Sequence, residues 1–198
     1  MSQENIFRTL IFLFMLANIS ISGYYRRKAD RKDQKTTFAE ENQTLLNLRN
    51  IGALLMYGSI LVYLIYPPAM RWAQISLASS LRWAAIGVMG LLVPAFYWLF
   101  SSLGSNITPT VSIRKQHSLV TNGPYRWIRH PLYSFGTVMI IAIAVAAANW
   151  FILTMGILTF IPLALRTPLE EQRLLETFGE EYQAYMQTTN RYFPKIRS

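Results

Sequence analysis

Five stretches of the chain carry almost no charge and are dominated by Leu, Ile, Phe, Ala and Val: Ile6–Ser22, Leu48–Tyr66, Trp83–Leu103, Leu132–Ala148 and Phe151–Leu165. Each approaches the roughly 20 residues that a helix needs to cross a hydrocarbon core, so the pattern predicts transmembrane helices separated by polar connections. The last two stretches form 34 residues from Leu132 to Leu165. One helix of that length would measure roughly 50 Å against a core of about 30 Å. Asn149 with Trp150 therefore marks the tip of a helical hairpin. The expected fold is an all-α integral membrane protein of about five transmembrane helices, ending in that hairpin and a cytosolic C-terminal helix.

Composition sharpens this picture. Of 198 residues, 52% are hydrophobic and 15% charged, whereas a soluble domain carries about 25% charge. The formal charge of +9 would suggest nucleic acid in a soluble protein; beside so much apolar sequence it points to anionic membrane lipid instead. No nucleic-acid partner is expected. With no cysteine and two histidines, thiol nucleophiles and thiolate zinc sites are excluded, and no metal centre is expected. No linker or internal repeat divides the chain, so residues 1–198 read as one membrane unit.

The polar connections are unequal in charge. Residues 24–49, 104–131 and 166–198 together hold sixteen Lys and Arg, and the other ends hold only Arg8, Arg71 and Arg82. By the positive-inside rule the N-terminus lies outside and the C-terminus in the cytoplasm. The basic run after the first stretch fits an uncleaved start better than a signal peptide.

Polar functional groups concentrate in two segments, 105–133 and 166–194, which flank the hairpin and so emerge on one side of the membrane. In the second, Thr167, Pro168 and Glu170 have the spacing of a helix start with a capping box. Glu171, Leu175, Phe178, Tyr182 and Tyr185 recur at helical spacings and predict one mostly aromatic face, interrupted at Gly179. In the first, Asn122–Gly123–Pro124–Tyr125 is turn chemistry, and Arg129–His130–Pro131 stops one segment just before a membrane helix.

The string HSLVTNGPYRWIRHPLYSFG, followed after the hairpin by R…EE…FGEEYQAY…NRYFP, closely resembles the isoprenylcysteine carboxyl methyltransferase family and its phospholipid methyltransferase relatives. The resemblance covers Gln116 to Pro194; the first three spans match only in kind. The apolar pattern and the charge count give residues 1–103 three spans and a basic cytosolic loop, and the resemblance implies that 104–198 form the catalytic portion. It further implies an S-adenosylmethionine cofactor, with S-adenosylhomocysteine as product, held without a Rossmann domain. Carried over by position, Gln116, His117, Leu119, Val120, Tyr125, His130 and Tyr133 would line the cofactor, and Tyr182 with Glu181 or Glu180 would close over it. Arg166 is the first candidate to orient a carboxylate acceptor. An amine acceptor would need a base, for which Glu171 or His130 is placed.

The implied reaction is methylation of the carboxylate of an isoprenylcysteine or similar lipid acid, entering laterally from the bilayer. Other readings are a phospholipid headgroup N-methyltransferase, a sterol-type reductase using NADPH, for which the loop is poor in cations, and a non-catalytic membrane protein whose basic loop binds lipid.

Overall fold

The structure is a computed structural model that describes residues 2–32, 43–107 and 118–195. Among them the chain forms six α-helices: α1 Gln3–Lys32, α2 Gln43–Ile65, α3 Ser79–Leu103, α4 Pro131–Ala147, α5 Trp150–Phe178 and α6 Glu180–Thr188. Short 3-10 turns cover Pro67–Ala73, Gly104–Asn106 and Gly123–Arg126. Helices α1, α2, α3 and α5 are long and apolar enough to cross a membrane, and α4 is apolar with 17 residues. Their outward faces expose Leu54, Ile65 and Leu91, each at least 70% accessible. Water would penalise such a surface and lipid would not.

Around the bundle, α2 packs on α5, α5 on α4, α4 on α3 and α3 on α1, while α1 meets α2 only slightly. Small residues let these helices approach, as in membrane bundles where apolar packing replaces the hydrophobic effect. Ala142, Ala144, Ala146 and Ala147 of α4 are buried. A Cβ at Gly156 would stand 2.1 Å from Ile140 Cγ2, and one at Gly52 would stand 3.2 Å from Thr159 Cα.

The hairpin tip is as expected. Asn149 is buried, and its Oδ1 accepts from Ile152 N at 3.1 Å to cap α5. Ala148 takes a left-handed turn, and Ile75 N donates to Ala148 O, which seats the α2–α3 connection against the tip. At this same end two of the three sparse basic residues satisfy helix C-termini. Arg8 Nε donates to Leu64 O at 3.0 Å, and Arg82 Nε donates to Ala146 O at 2.7 Å while pairing with Glu4 at 2.8 Å.

Two elements differ from the sequence expectation. The first apolar stretch continues as helix through the basic run to Lys32, because nothing between Ser22 and Lys32 is a strong helix breaker except Gly23. More importantly, no new helix begins at Thr167. Helix α5 runs unbroken past Pro162 and Pro168 to Phe178. The Thr167 hydroxyl, instead of capping, donates to Leu163 O at 3.0 Å. Prolines are tolerated inside membrane helices where Ser or Thr side chains and neighbouring helices satisfy the freed backbone groups. The break comes at Gly179, whose φ of +53° suits glycine. At about 1.5 Å per residue, α5 is about 43 Å long, so its last turns project beyond a core of about 30 Å.

Candidate active site

Three chain segments meet where α5 projects. The first is the turn before α4. Gly123 has φ of +59°, and a Cβ there would lie 2.0 Å from Ser102 Oγ, so only glycine lets the turn seat against the end of α3. The second is the C-terminal part of α5. The third is α6 with the strap that follows it. The strap runs back along residues 128–130: Arg129 N donates to Asn190 O at 2.8 Å and His130 N to Arg191 O at 2.9 Å. Tyr192 OH then donates to Thr167 Oγ1 at 2.7 Å.

Glu171 is the tie between all three. Arg129 Nε donates to its Oε1 at 2.8 Å, Arg191 Nε donates to its Oε2 at 2.8 Å, and His130 Nε2 lies 3.3 Å from Oε1. Arg129 also donates to the carbonyls of Met186 and Thr189 at the end of α6. Both carboxylate oxygens are thus engaged by guanidinium groups, and Glu171 is buried. The hydrogen bond from Arg191 to Glu171 holds that guanidinium above its ordinary pKa. A carboxylate so neutralised is a poor proton acceptor. Glu171, expected with His130 as a possible base for an amine acceptor, clamps the three segments and is not among the residues that line the cavity beside it.

That cavity has a volume of about 530 Å³, within the range of small-molecule sites. Its deeper wall is apolar, from Met56, Phe100, Ile140, Phe160 and Leu163. Its outer wall carries Arg166, Glu170, Arg173, Tyr133 and Tyr182. Leu119, Val120, Tyr125 and His130 also line it, so seven of the eleven residues singled out from sequence face one space. Of the rest, Gln116 and His117 lie outside the described residues, Glu171 is the clamp, and Glu181 is exposed on α6 away from the lining.

Within the cavity the polar groups are held firmly. The His130 ring stacks on Tyr133 with centroids 5.5 Å apart and planes 4° apart. Tyr133 OH donates to Glu170 Oε2 at 2.9 Å, and Tyr185 OH donates to Tyr125 O at 2.5 Å. Tyr182 is 1% exposed, and its hydroxyl has no hydrogen-bond partner among the described residues. Burial, and then the nearby Glu171 carboxylate, push that phenol well above its usual pKa, so it stays protonated. A buried hydroxyl without a partner costs about 1–3 kcal/mol, which a polar ligand group in the cavity would recover.

The expected aromatic face is only partly formed. Because Gly179 turns the chain, Phe178, Tyr182 and Tyr185 line the cavity while Leu175 is exposed and Leu174 takes its place. Sequence reasoning read Glu170 only as a helix cap and assigned no role to Arg129 or Arg173. The helical period offered a signal: Arg166, Glu170 and Arg173 recur at four and three, on one face of α5.

Residues 81–181 match the family model described as phospholipid methyltransferase. The chain belongs to that family. It is also similar to the nickel-cobalt-cadmium resistance protein NccN of Alcaligenes xylosoxydans xylosoxydans, with 24% identity over 156 residues, 77% of this chain and 68% of that protein. The cobalt-zinc-cadmium resistance protein CzcN of Cupriavidus metallidurans is 33% identical over 89 residues, covering 43% of this chain and 40% of that protein. The fold resembles that of the eukaryotic intramembrane Ras methyltransferase ICMT, with a TM-score of 0.51 at 20% identity over 91% of this chain and 68% of that one. The resemblance read from the two motifs thus holds at the level of family and fold. The chain is an integral membrane protein of a methyltransferase family.

Proposed function

We propose that this chain is an S-adenosylmethionine-dependent methyltransferase that O-methylates the carboxylate of a lipophilic acid, of the isoprenylcysteine or isoprenoid type, at the membrane surface. One observation supports it above all: a single cavity joins an apolar wall among the helices to a polar wall on the projecting end of α5. A soluble cofactor and a lipid acceptor need such a junction.

The residues present fit the cofactor. Glu170 offers a carboxylate oxygen for a ribose hydroxyl or an ammonium, Tyr182 offers the unmatched buried hydroxyl, and the rings of Tyr125, Tyr133 and Tyr182 suit adenine and a sulfonium cation. When bound, S-adenosylmethionine supplies an electrophilic methyl group. A carboxylate acceptor with a pKa of about 3.5 is ionised at neutral pH and needs no base. The protein's task is then to orient it and exclude water, and the Arg166 guanidinium, buried at the membrane end of the polar wall, is suited to pair with both of its oxygens.

Calorimetry with S-adenosylhomocysteine in detergent tests the cofactor, and formation of an alkali-labile methyl ester on a farnesylcysteine analogue tests the acceptor. Absence of binding at millimolar ligand rejects the enzyme reading. Arg166→Ala should abolish ester formation with cofactor affinity within a few fold, and Arg166→Lys should lose much of the turnover because the fork is lost.

Glu170 also favours a second reading. A carboxylate on the cavity wall is placed to hold a lipid amine, and an alkali-stable methylated amine product would move the acceptor to phospholipid headgroups. The metal resistance in the names of the two relatives belongs to those proteins. Among the described residues of this chain no group of three or more His, Asp or Glu is gathered for a metal ion.

A further inference from the structure

Two arginines at the cavity mouth come from outside the segment that carries the family match. Arg26 stands near the end of α1 and Arg49 in the second turn of α2, and both line the same cavity as Arg166 and Glu170. Their hydrogen bonds go to neutral partners: Arg26 Nε donates to Ser22 Oγ at 3.2 Å, and Arg49 Nε and Nη2 donate to Asn50 Oδ1. Neither pairs with a carboxylate among the described residues. Arg129, by contrast, is neutralised by Glu171.

The end of α1 is fixed beside the cavity, since buried Tyr25 stacks on the cavity-lining Phe100 with centroids 6.3 Å apart. Along α2, Arg49, Ala53 and Met56 follow at spacings of four and three, so one helical face leads from a guanidinium to an apolar floor. Met56 lies about 10 Å below Arg49 along the helix axis. Two like charges facing one mouth favour an anion between them. S-adenosylmethionine brings one carboxylate together with a sulfonium and an ammonium, so it adds no net negative charge to the mouth. An anionic acceptor does.

We infer that Arg26 and Arg49 capture the anionic group, phosphate or carboxylate, of the lipid acceptor with its chain toward Met56, and that a reacting carboxylate then passes on to Arg166. This rests on the methyltransferase reading for the acceptor's role, and on the geometry of the mouth for its charge. The site selects acceptors by headgroup charge, independently of the residues that hold the cofactor.

The test uses the full chain in neutral detergent, with retained lipid counted by native mass spectrometry. The probes are phosphatidic acid, N-acetyl-S-farnesylcysteine and uncharged diacylglycerol. The parent should retain at least one anionic probe tenfold or more over diacylglycerol, and the probe retained identifies phosphate or carboxylate. The double variant Arg26→Ala, Arg49→Ala should lose that preference, while S-adenosylhomocysteine affinity stays within twofold. The variant Arg26→Lys, Arg49→Lys should keep most of the preference, which a general folding defect would not allow. Millimolar inorganic phosphate should not displace the lipid; displacement would show a site for free anions and overturn the inference. No anionic preference in the parent, or the same preference in the alanine double variant, also overturns it. If the lipid preference stands but the parent fails to bind S-adenosylhomocysteine, the proposed function falls and the lipid site remains.

Discussion

Adjacent glutamates on α5 do different work, and the difference is set by which way each one-hundred-degree step of the helix turns them. Glu171 faces Arg129, Arg191 and His130, whereas Glu170 faces the cavity and Tyr133. Removing the Glu171 charge strands the guanidinium of Arg129, which is 8% exposed. Breaking one partner of a buried pair costs about 3–5 kcal/mol, so Glu171→Gln should lower the thermal melt sharply, and Glu170→Gln should leave the melt nearly unchanged while weakening S-adenosylhomocysteine binding. Equal melts for the two variants would reject the clamp. Tyr182 permits a test with the opposite sign. Its hydroxyl is buried without a partner among the described residues, so Tyr182→Phe should leave the ligand-free protein as stable or more so. Bound ligand would lose a hydrogen bond worth about 0.5–1.5 kcal/mol, so the dissociation constant for S-adenosylhomocysteine should rise several fold. A less stable ligand-free variant with unchanged affinity would place Tyr182 in the core alone.

At the scale of elements, the apolar stretches were legible because lipid imposes a length and a composition that nothing else in the chain mimics. The hairpin at Asn149 was legible for the same reason, since 34 apolar residues do not fit one crossing. The start of a helix at Thr167–Pro168 was misread, because the same dipeptide serves as a cap in water and as an interior step where Thr167 bonds Leu163 O. The clamp was not legible either. Its partners are 42 and 20 residues apart, and no local period announces an ion pair that only the folded strap creates. Gly179, read as an interruption, proves to be the joint that turns Tyr182 and Tyr185 inward. With φ of +53° and ψ of −126°, a side chain there costs on the order of 1–3 kcal/mol. No neighbour lies within 4 Å of a Cβ at this position, so the cost is conformational and not steric. Gly179→Ala should therefore reorient α6 and reduce cofactor affinity by tenfold or more, with a smaller effect on the melt of the ligand-free bundle. Unchanged affinity would mean that α6 keeps its place without the glycine joint.

For the whole molecule, the distribution of charge and the position of the cavity agree. The hairpin tip, the α2–α3 connection and the start of α1 share one end, where Arg8 and Arg82 are spent on helix carbonyls. Arg166, Glu170 and Arg173 sit at the other, together with most of the basic residues. Positive charge is retained on the cytoplasmic side during insertion, so the cavity is expected to open to the cytosol, where a soluble methyl donor would be available. Because the chain has no cysteine, single cysteines report topology without background. Ser79→Cys, exposed at the charge-poor end, should react with a membrane-impermeant maleimide on intact cells. Gln183→Cys, exposed on α6, should react only after the membrane is opened. The reverse pattern would put the cavity outside and remove the cofactor supply on which the proposed reaction depends. Reaction of both from outside would mean that α3, α4 and α5 do not all span, since Ser79 and Gln183 lie on opposite sides only when an odd number of crossings separates them.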